Sequence, residues 1–144
     1  MILVLETSGL GNLFGFGLEV SLVGNFGSHK AVGEFAGRTG GLEGNDVWTA
    51  LPLARSLDVG STSAATVETL FFARGSAVAT KDLRLQIHLD PKNDRKEPFA
   101  LGAAGTIQTG PKLGKLVVVG SSLWVSHSDW NFNGNRNLFR SLIA

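Results

Sequence analysis

"KLVVVGSSLWVSHSDWNFNGNRNLF", Lys115 to Phe139, is the stretch on which a reading of the fold turns. Leu116 to Val119 form an unbroken apolar run. Such a run reads as a strand buried on both faces, of the kind found in parallel sheets. Gly120, Ser121 and Ser122 stop it, and a polar stretch with one histidine, His127, follows. Gly134 and Asn135 then open a segment in which Leu138, Phe139, Leu142 and Ile143 fall on one helical face. In an open α/β sheet, ligands bind where strands end in this way.

The same pattern recurs at the other end of the chain. Met1 to Leu5 is a second unbroken apolar run, bounded by Glu6, Thr7, Ser8 and Gly9, and reads as another buried strand. Asn12 is placed to cap a short helix carrying Leu13 and Phe14, weakened by the glycines around it. "GLEVSLVG" reads as a shorter strand. Gly24 to Asp46 is poorly patterned, and "GRTGGLEGND" reads as loop. "VWTALPLARSL" suggests a strand followed by a turn. "STSAATVETLFFARGSAVAT" admits either a short helix or a strand over "TVETLFFAR". "DLRLQIHLD" alternates strictly, a strand with one buried face. "PKNDRKEP" reads as a solvated loop, "FALGAAGTIQTG" as a strand and "PKLG" as a turn.

Apolar strands followed by short helices argue for an α/β protein with parallel strands. The expected architecture is therefore one α/β domain over residues 1–144. It has three layers and is Rossmann-like, in the manner of flavodoxin or class I amidotransferases. Its sheet is mostly parallel, with an antiparallel edge or hairpin supplied by the alternating strand.

The 144 residues suit a single core, and 43% are hydrophobic against 17% charged, with a mean hydropathy of +0.14. The net charge of +1 provides no basic field for a phosphate backbone, which argues against nucleic-acid binding. The absence of cysteine removes disulfides, cysteine-ligated zinc and a cysteine nucleophile. No apolar run reaches the ~18–20 residues that span a bilayer, so the chain is expected to be soluble and not to insert into a membrane.

The candidate site residues gather at the expected ligand edge. Glu6, Ser8, Gly9 and Gly11 follow the first strand. Gly9-x-Gly11-x-x-x-Gly15 suggests a phosphate-binding turn, but its spacing is neither the dinucleotide fingerprint nor a P-loop, and a plain turn outweighs it. Ser121 or Ser122 with His127 and Asp129 contains the residue types of a hydrolytic triad. They sit close together in sequence, however, and no G-x-S-x-G elbow is present. The dispersed carboxylates and the histidines His29, His88 and His127 lack metal-site spacing, and no cofactor is expected. Trp124 and Trp130 flank His127 and suggest an aromatic binding surface, set against the reading in which they seal the end of the sheet.

With these segments in place, "GKLVVVGSSLWVS…GNRNLFRSLIA" resembles the end of the extracytoplasmic domain of gliding-motility-type ABC-transporter auxiliary proteins. In that family a strand ends in Gly-Asp-Ser, and Gly-Asn begins a closing helix. "MILVLETSG", "LFGFGLEV", "LPLARSLDVGSTSA" and "DPKNDRKEPFALGAAG" resemble further segments of it, in order. Ser121 stands where the family has aspartate. The resemblance implies an amidotransferase-like or flavodoxin-like fold without that catalysis, an extracytoplasmic location, and membrane transport proteins as partners. The chain then corresponds to half of such a domain, or to a small relative that completes its sheet by pairing with another copy.

The function expected is thus a non-enzymatic, homo-oligomeric binding or assembly domain, accessory to membrane transport or surface motility. Its surface is expected to be the Gly120–Trp130 loop with Glu6–Gly11 beside it. The alternatives are a small hydrolase using the Ser/His pair and a sugar- or nucleotide-binding domain.

Overall fold

The computed structural model describes residues 3–35, 48–60, 62–74, 77–80, 98–126, 128–132 and 134–144. Its strands are β1 (Leu3–Glu6), β2 (Val20–Phe26), β3 (Ala50–Pro52), β4 (Ala65–Ala73), β5 (Ala77–Thr80), β6 (Ala100–Thr109) and β7 (Lys112–Val119). Three 3-10 turns cover Leu10–Phe14, Lys30–Phe35 and Leu123–Val125, and helix α1 spans Asn135–Ile143. Five strands form one sheet in the order β3-β2-β4-β6-β7, and β1 pairs with β5 in a separate two-stranded sheet. Every strand pairing among the described residues is antiparallel.

The mostly parallel, three-layer Rossmann-like α/β fold expected from the sequence is therefore wrong. Parallel neighbours need a crossover of a dozen or more residues, usually helical. The nine-residue α1 is the one α-helix among the described residues, and it follows the last strand. Only two residues, Gly110 and Pro111, separate the partners Thr109 and Lys112. So short a link can join only antiparallel strands. Gly110 takes the left-handed conformation there, with φ 60°.

Both apolar runs that suggested a parallel sheet lie elsewhere. β1 is buried, but it runs against β5. Its backbone also meets the chain around β2 and β3: Val4 N–H donates to Ala54 O and Glu6 N–H to Leu18 O, both at 2.9 Å. Ser21 Oγ donates to Val4 O at 2.7 Å. The run at Leu116 to Val119 is no central strand. It belongs to β7, the outer strand of the five, with Lys112 to Val118 all exposed. The expected short helix near Asn12 is a 3-10 turn entered from Gly9 without a side-chain cap. The strand reading of "TVETLFFAR" falls on β4, and the closing helix falls on α1. "DLRLQIHLD", "GRTGGLEGND" and, except for its last residue Pro98, "PKNDRKEP" lie outside the described residues.

The main core gathers Val4, Val23, Leu70, Phe71, Leu101 and Trp124, with Phe35 and Leu138 packed among them. Burial of several such side chains, each worth roughly 1.5–3 kcal/mol, drives this packing. β4 carries register irregularities around Phe71, which faces Gly102 of β6. A Cβ at residue 102 would lie 2.3 Å from the Phe71 ring, so glycine allows that ring to cross the strand. A smaller cluster of Val20, Leu22, Trp48 and Ala50 takes Phe16 and Phe132 against it. The β6–β7 hairpin projects beyond both. Burial along β6 falls from Leu101, Gly102 and Ala103 to the exposed Ile107, Gln108 and Thr109.

Candidate interaction surface

At the carboxyl end of β7 the chain is held under the turn that follows β3. Arg55 N–H donates to Gly120 O at 2.7 Å, and Gly120 N–H to Leu101 O at 2.8 Å. Ser121 is buried and its Oγ donates to Pro52 O at 2.5 Å. Ser122 is exposed. Leu53 has φ 49°, left-handed for a residue with a side chain. Pro52, Leu53, Arg55 and Gly120 to Leu123 enclose an open recess of about 340 Å³. Arg55 Nη1 donates to Leu53 O at 2.8 Å, while its Nε is buried without a hydrogen-bond partner. The Ser121 hydroxyl thus serves to tie two turns together.

The loop beyond is gathered by one residue. Asn135, fully buried, accepts from Ala50 N–H at 3.0 Å through Oδ1. Its Nδ2 donates to Ala50 O at 3.0 Å and to Trp124 O and Asp129 O at 3.1 Å. The Gly134-Asn135 pair therefore does more than open α1. It fastens β3, the Leu123–Val125 turn and the Asp129 turn to one amide. Asp129 Oδ2 accepts from Ser126 Oγ at 2.8 Å and Ser128 Oγ at 3.0 Å, a local turn closure. His127 lies outside the described residues.

The two tryptophans of this loop pack onto α1. Trp124 is 4% exposed, and its ring meets Phe139 edge-on at 6.1 Å. Trp130 meets the same ring at 5.4 Å. Trp124 therefore sits in the core, and Trp130 is partly covered.

Glu6, Ser8, Gly9 and Gly11 lie at the opposite end of β1 from the recess. Arg55 bridges to Leu3, and Glu6 is three strand residues, or about 10 Å, further along. Glu6 is 2% exposed and accepts from Ser8 N–H at 3.0 Å. Leu10 N–H meets Ser8 Oγ at 3.2 Å. This segment does reach the far part of the C-terminal loop through aromatic rings. Phe132 lies 5.3 Å from Phe14 and 5.0 Å from Phe16, and Phe14 lies 5.4 Å from Trp48. The structure thus joins Gly9–Phe16 to the loop near Phe132 rather than near Ser121. Among the described residues, no group of three histidine, aspartate or glutamate side chains is placed to hold a metal.

An exposed apolar feature among the described residues includes the run Leu116 to Val118, which sequence reasoning assigned to the interior. On the β6–β7 hairpin, Ile107 is 50% exposed, Leu113 59%, Leu116 65%, Val117 37% and Val118 42%. Strand alternation and register put Ile107, Leu116 and Val118 on one face and Leu113 and Val117 on the other, because residues directly opposite share a face. Val67, Gly105 and Leu116 lie abreast, as do Thr69, Ala103 and Val118. The segment Leu57–Gly60 overhangs this face and leaves an apolar groove of about 260 Å³. Among the described residues no strand lies beyond β7. The sequence signal that pointed here is "TGPK", a two-residue hairpin turn, followed by lysines 112 and 115 on the outgoing strand.

No family model, curated protein or solved structure matches this chain. No described helix is long and apolar enough to cross a membrane.

Proposed function

We propose that the chain is a non-enzymatic binding or assembly domain whose docking element is the open edge of β7. One observation carries this reading: β7 is an outer strand rich in leucine and valine, exposed from Lys112 to Val118. An outer strand offers unpaired N–H and C=O groups to an incoming strand, and a long apolar one is a strong template for pairing. Contiguous exposed apolar surface of this kind marks interaction sites in soluble proteins. Lys112 and Lys115 limit indiscriminate pairing without removing the apolar stretch between Leu116 and Val119. The accessory role in membrane transport or surface motility has only the resemblance of the tail behind it, and the fold which that resemblance implied is not the one found; the binding role rests on the edge.

The test uses a labelled nonapeptide alternating valine and threonine, which favours extended backbone. Fluorescence anisotropy at low protein concentration should show saturable binding to the wild-type chain. Binding should disappear in the Leu116→Lys/Val118→Lys variant, whose changes fall on exposed positions. Absence of saturable binding in a chain that is monomeric at that concentration, or binding unaffected in the double variant, would remove the edge from the account.

A further inference from the structure

We infer that the strand received by β7 is β7 of a second copy, paired antiparallel about a two-fold axis at Val117. This inference rests on the edge reading above and names its partner.

The ladder sets which groups are available. Gly120 N–H donates to Leu101 O, and the register places Leu101 opposite Gly120, next to the pair Gly102 and Val119. In an antiparallel pair, hydrogen-bonded and non-hydrogen-bonded residues alternate. Val118 and Leu116 therefore bond inward to β6, while the N–H and C=O of Lys115, Val117 and Val119 point outward. A two-fold axis at Val117 brings two outward-facing residues together as a hydrogen-bonded pair. It also sets Lys115 opposite Val119 of the second copy, in both directions.

The side chains suit that register. Leu116 faces Val118 of the second copy twice, and Val117 faces itself, so the central pairs are all apolar. The two Lys115 residues sit four strand positions apart, about 14 Å, beyond the Debye length of about 8 Å at physiological salt. A shift of the axis to Leu116 would bring them within two positions on the same face. The pairing ends where Gly120 turns beneath Arg55.

Leu116, Val117 and Val118, 65%, 37% and 42% exposed, are the apolar side chains this pairing covers, and the two-fold axis covers each of them twice. An isologous contact of this kind closes after two chains and leaves no exposed β7 edge.

The absence of cysteine makes the register directly readable. Cα atoms of a hydrogen-bonded antiparallel pair lie about 5.5 Å apart, within the range a disulfide spans. Mild oxidation of a Val117→Cys variant should give a disulfide-linked dimer. Lys115→Cys and Val119→Cys should each stay monomeric under denaturing conditions, and their mixture should cross-link. Light scattering on the wild type should give the mass of two 15.2 kDa chains, and on Leu116→Lys/Val118→Lys the mass of one. A wild-type monomer at every concentration overturns the inference, as does cross-linking at Leu116→Cys without cross-linking at Val117→Cys. A monomer that still binds the valine–threonine peptide overturns self-pairing and leaves the edge reading standing; a monomer that binds no peptide removes both.

Discussion

Replacing Asn135 by alanine should be among the most damaging single changes in the C-terminal third. The side chain is fully buried and takes part in four hydrogen bonds. Its two Nδ2 protons serve three carbonyls, so one is shared. Truncation leaves the Ala50 N–H without its acceptor and the Ala50 and Trp124 carbonyls without this donor, whereas the Asp129 carbonyl still accepts from Phe132 N–H. An unsatisfied buried group costs about 1–3 kcal/mol. With partial relief by water entering the space, the sum for Asn135→Ala is about 3–5 kcal/mol. That is a large part of the roughly 5–15 kcal/mol by which domains are stable. Asn135→Asp keeps Oδ1 but turns an oxygen toward three carbonyl oxygens. Burial and these oxygens favour its protonated form, so its folded-state pKa should lie above the ~3.9 of an unperturbed aspartate. The variant should lose stability as pH rises through that unfolded value, and regain it in acid. Urea unfolding followed by tryptophan fluorescence measures both effects, as a lower midpoint at unchanged slope. A loss below about 1 kcal/mol for Asn135→Ala would refute the clamp, because even one orphaned buried group exceeds it.

Further outcomes follow from packing. Trp124→Ala should cost about 3–5 kcal/mol in the same urea assay, as a large buried aromatic does when truncated; a change within 0.5 kcal/mol would return Trp124 to the surface. Gly102→Ala should destabilise by about 1–3 kcal/mol through the clash with Phe71, and adding Phe71→Leu should recover part of it, a coupling read from a double-mutant cycle. Ser121→Ala should cost about 1 kcal/mol through loss of its hydrogen bond to Pro52 O, read from the unfolding midpoint. Leu13→Ser, at a position 68% exposed, should leave the midpoint within about 0.5 kcal/mol.

The elements were more legible in the sequence than their arrangement. "GLEVSLVG", "FALGAAGTIQTG" and the stretch after Asn135 read correctly as strand, strand and helix, because local period and punctuation set these. The direction of pairing did not follow from the same signals. An unbroken apolar run looks alike whether helices cover it or it stands at an open edge, and Leu116 to Val119 is the second case. The two-residue link at Gly110 and Pro111 was the deciding feature, since it forces β6 and β7 to be antiparallel. The roles of Trp124 and Asn135 depend on distant partners. The Ala50 that Asn135 grips lies 85 residues earlier, beyond the reach of any local pattern. The glycine-rich turn at Gly9 and the Gly120–Ser122 stretch were located correctly as places where strands stop, but the aromatic contact that joins Gly9–Phe16 to the C-terminal loop runs through Phe132.

Residue-resolved amide hydrogen exchange across a concentration series tests the open edge most directly. The outward-facing amides of Lys115, Val117 and Val119 should exchange rapidly in dilute protein and become protected together as concentration rises. The inward-facing amides of Leu116 and Val118 should be protected throughout. Outward amides that stay fast at every concentration, with the chain folded and β6 protected, would contradict the account, because they would show an edge that takes up no second strand.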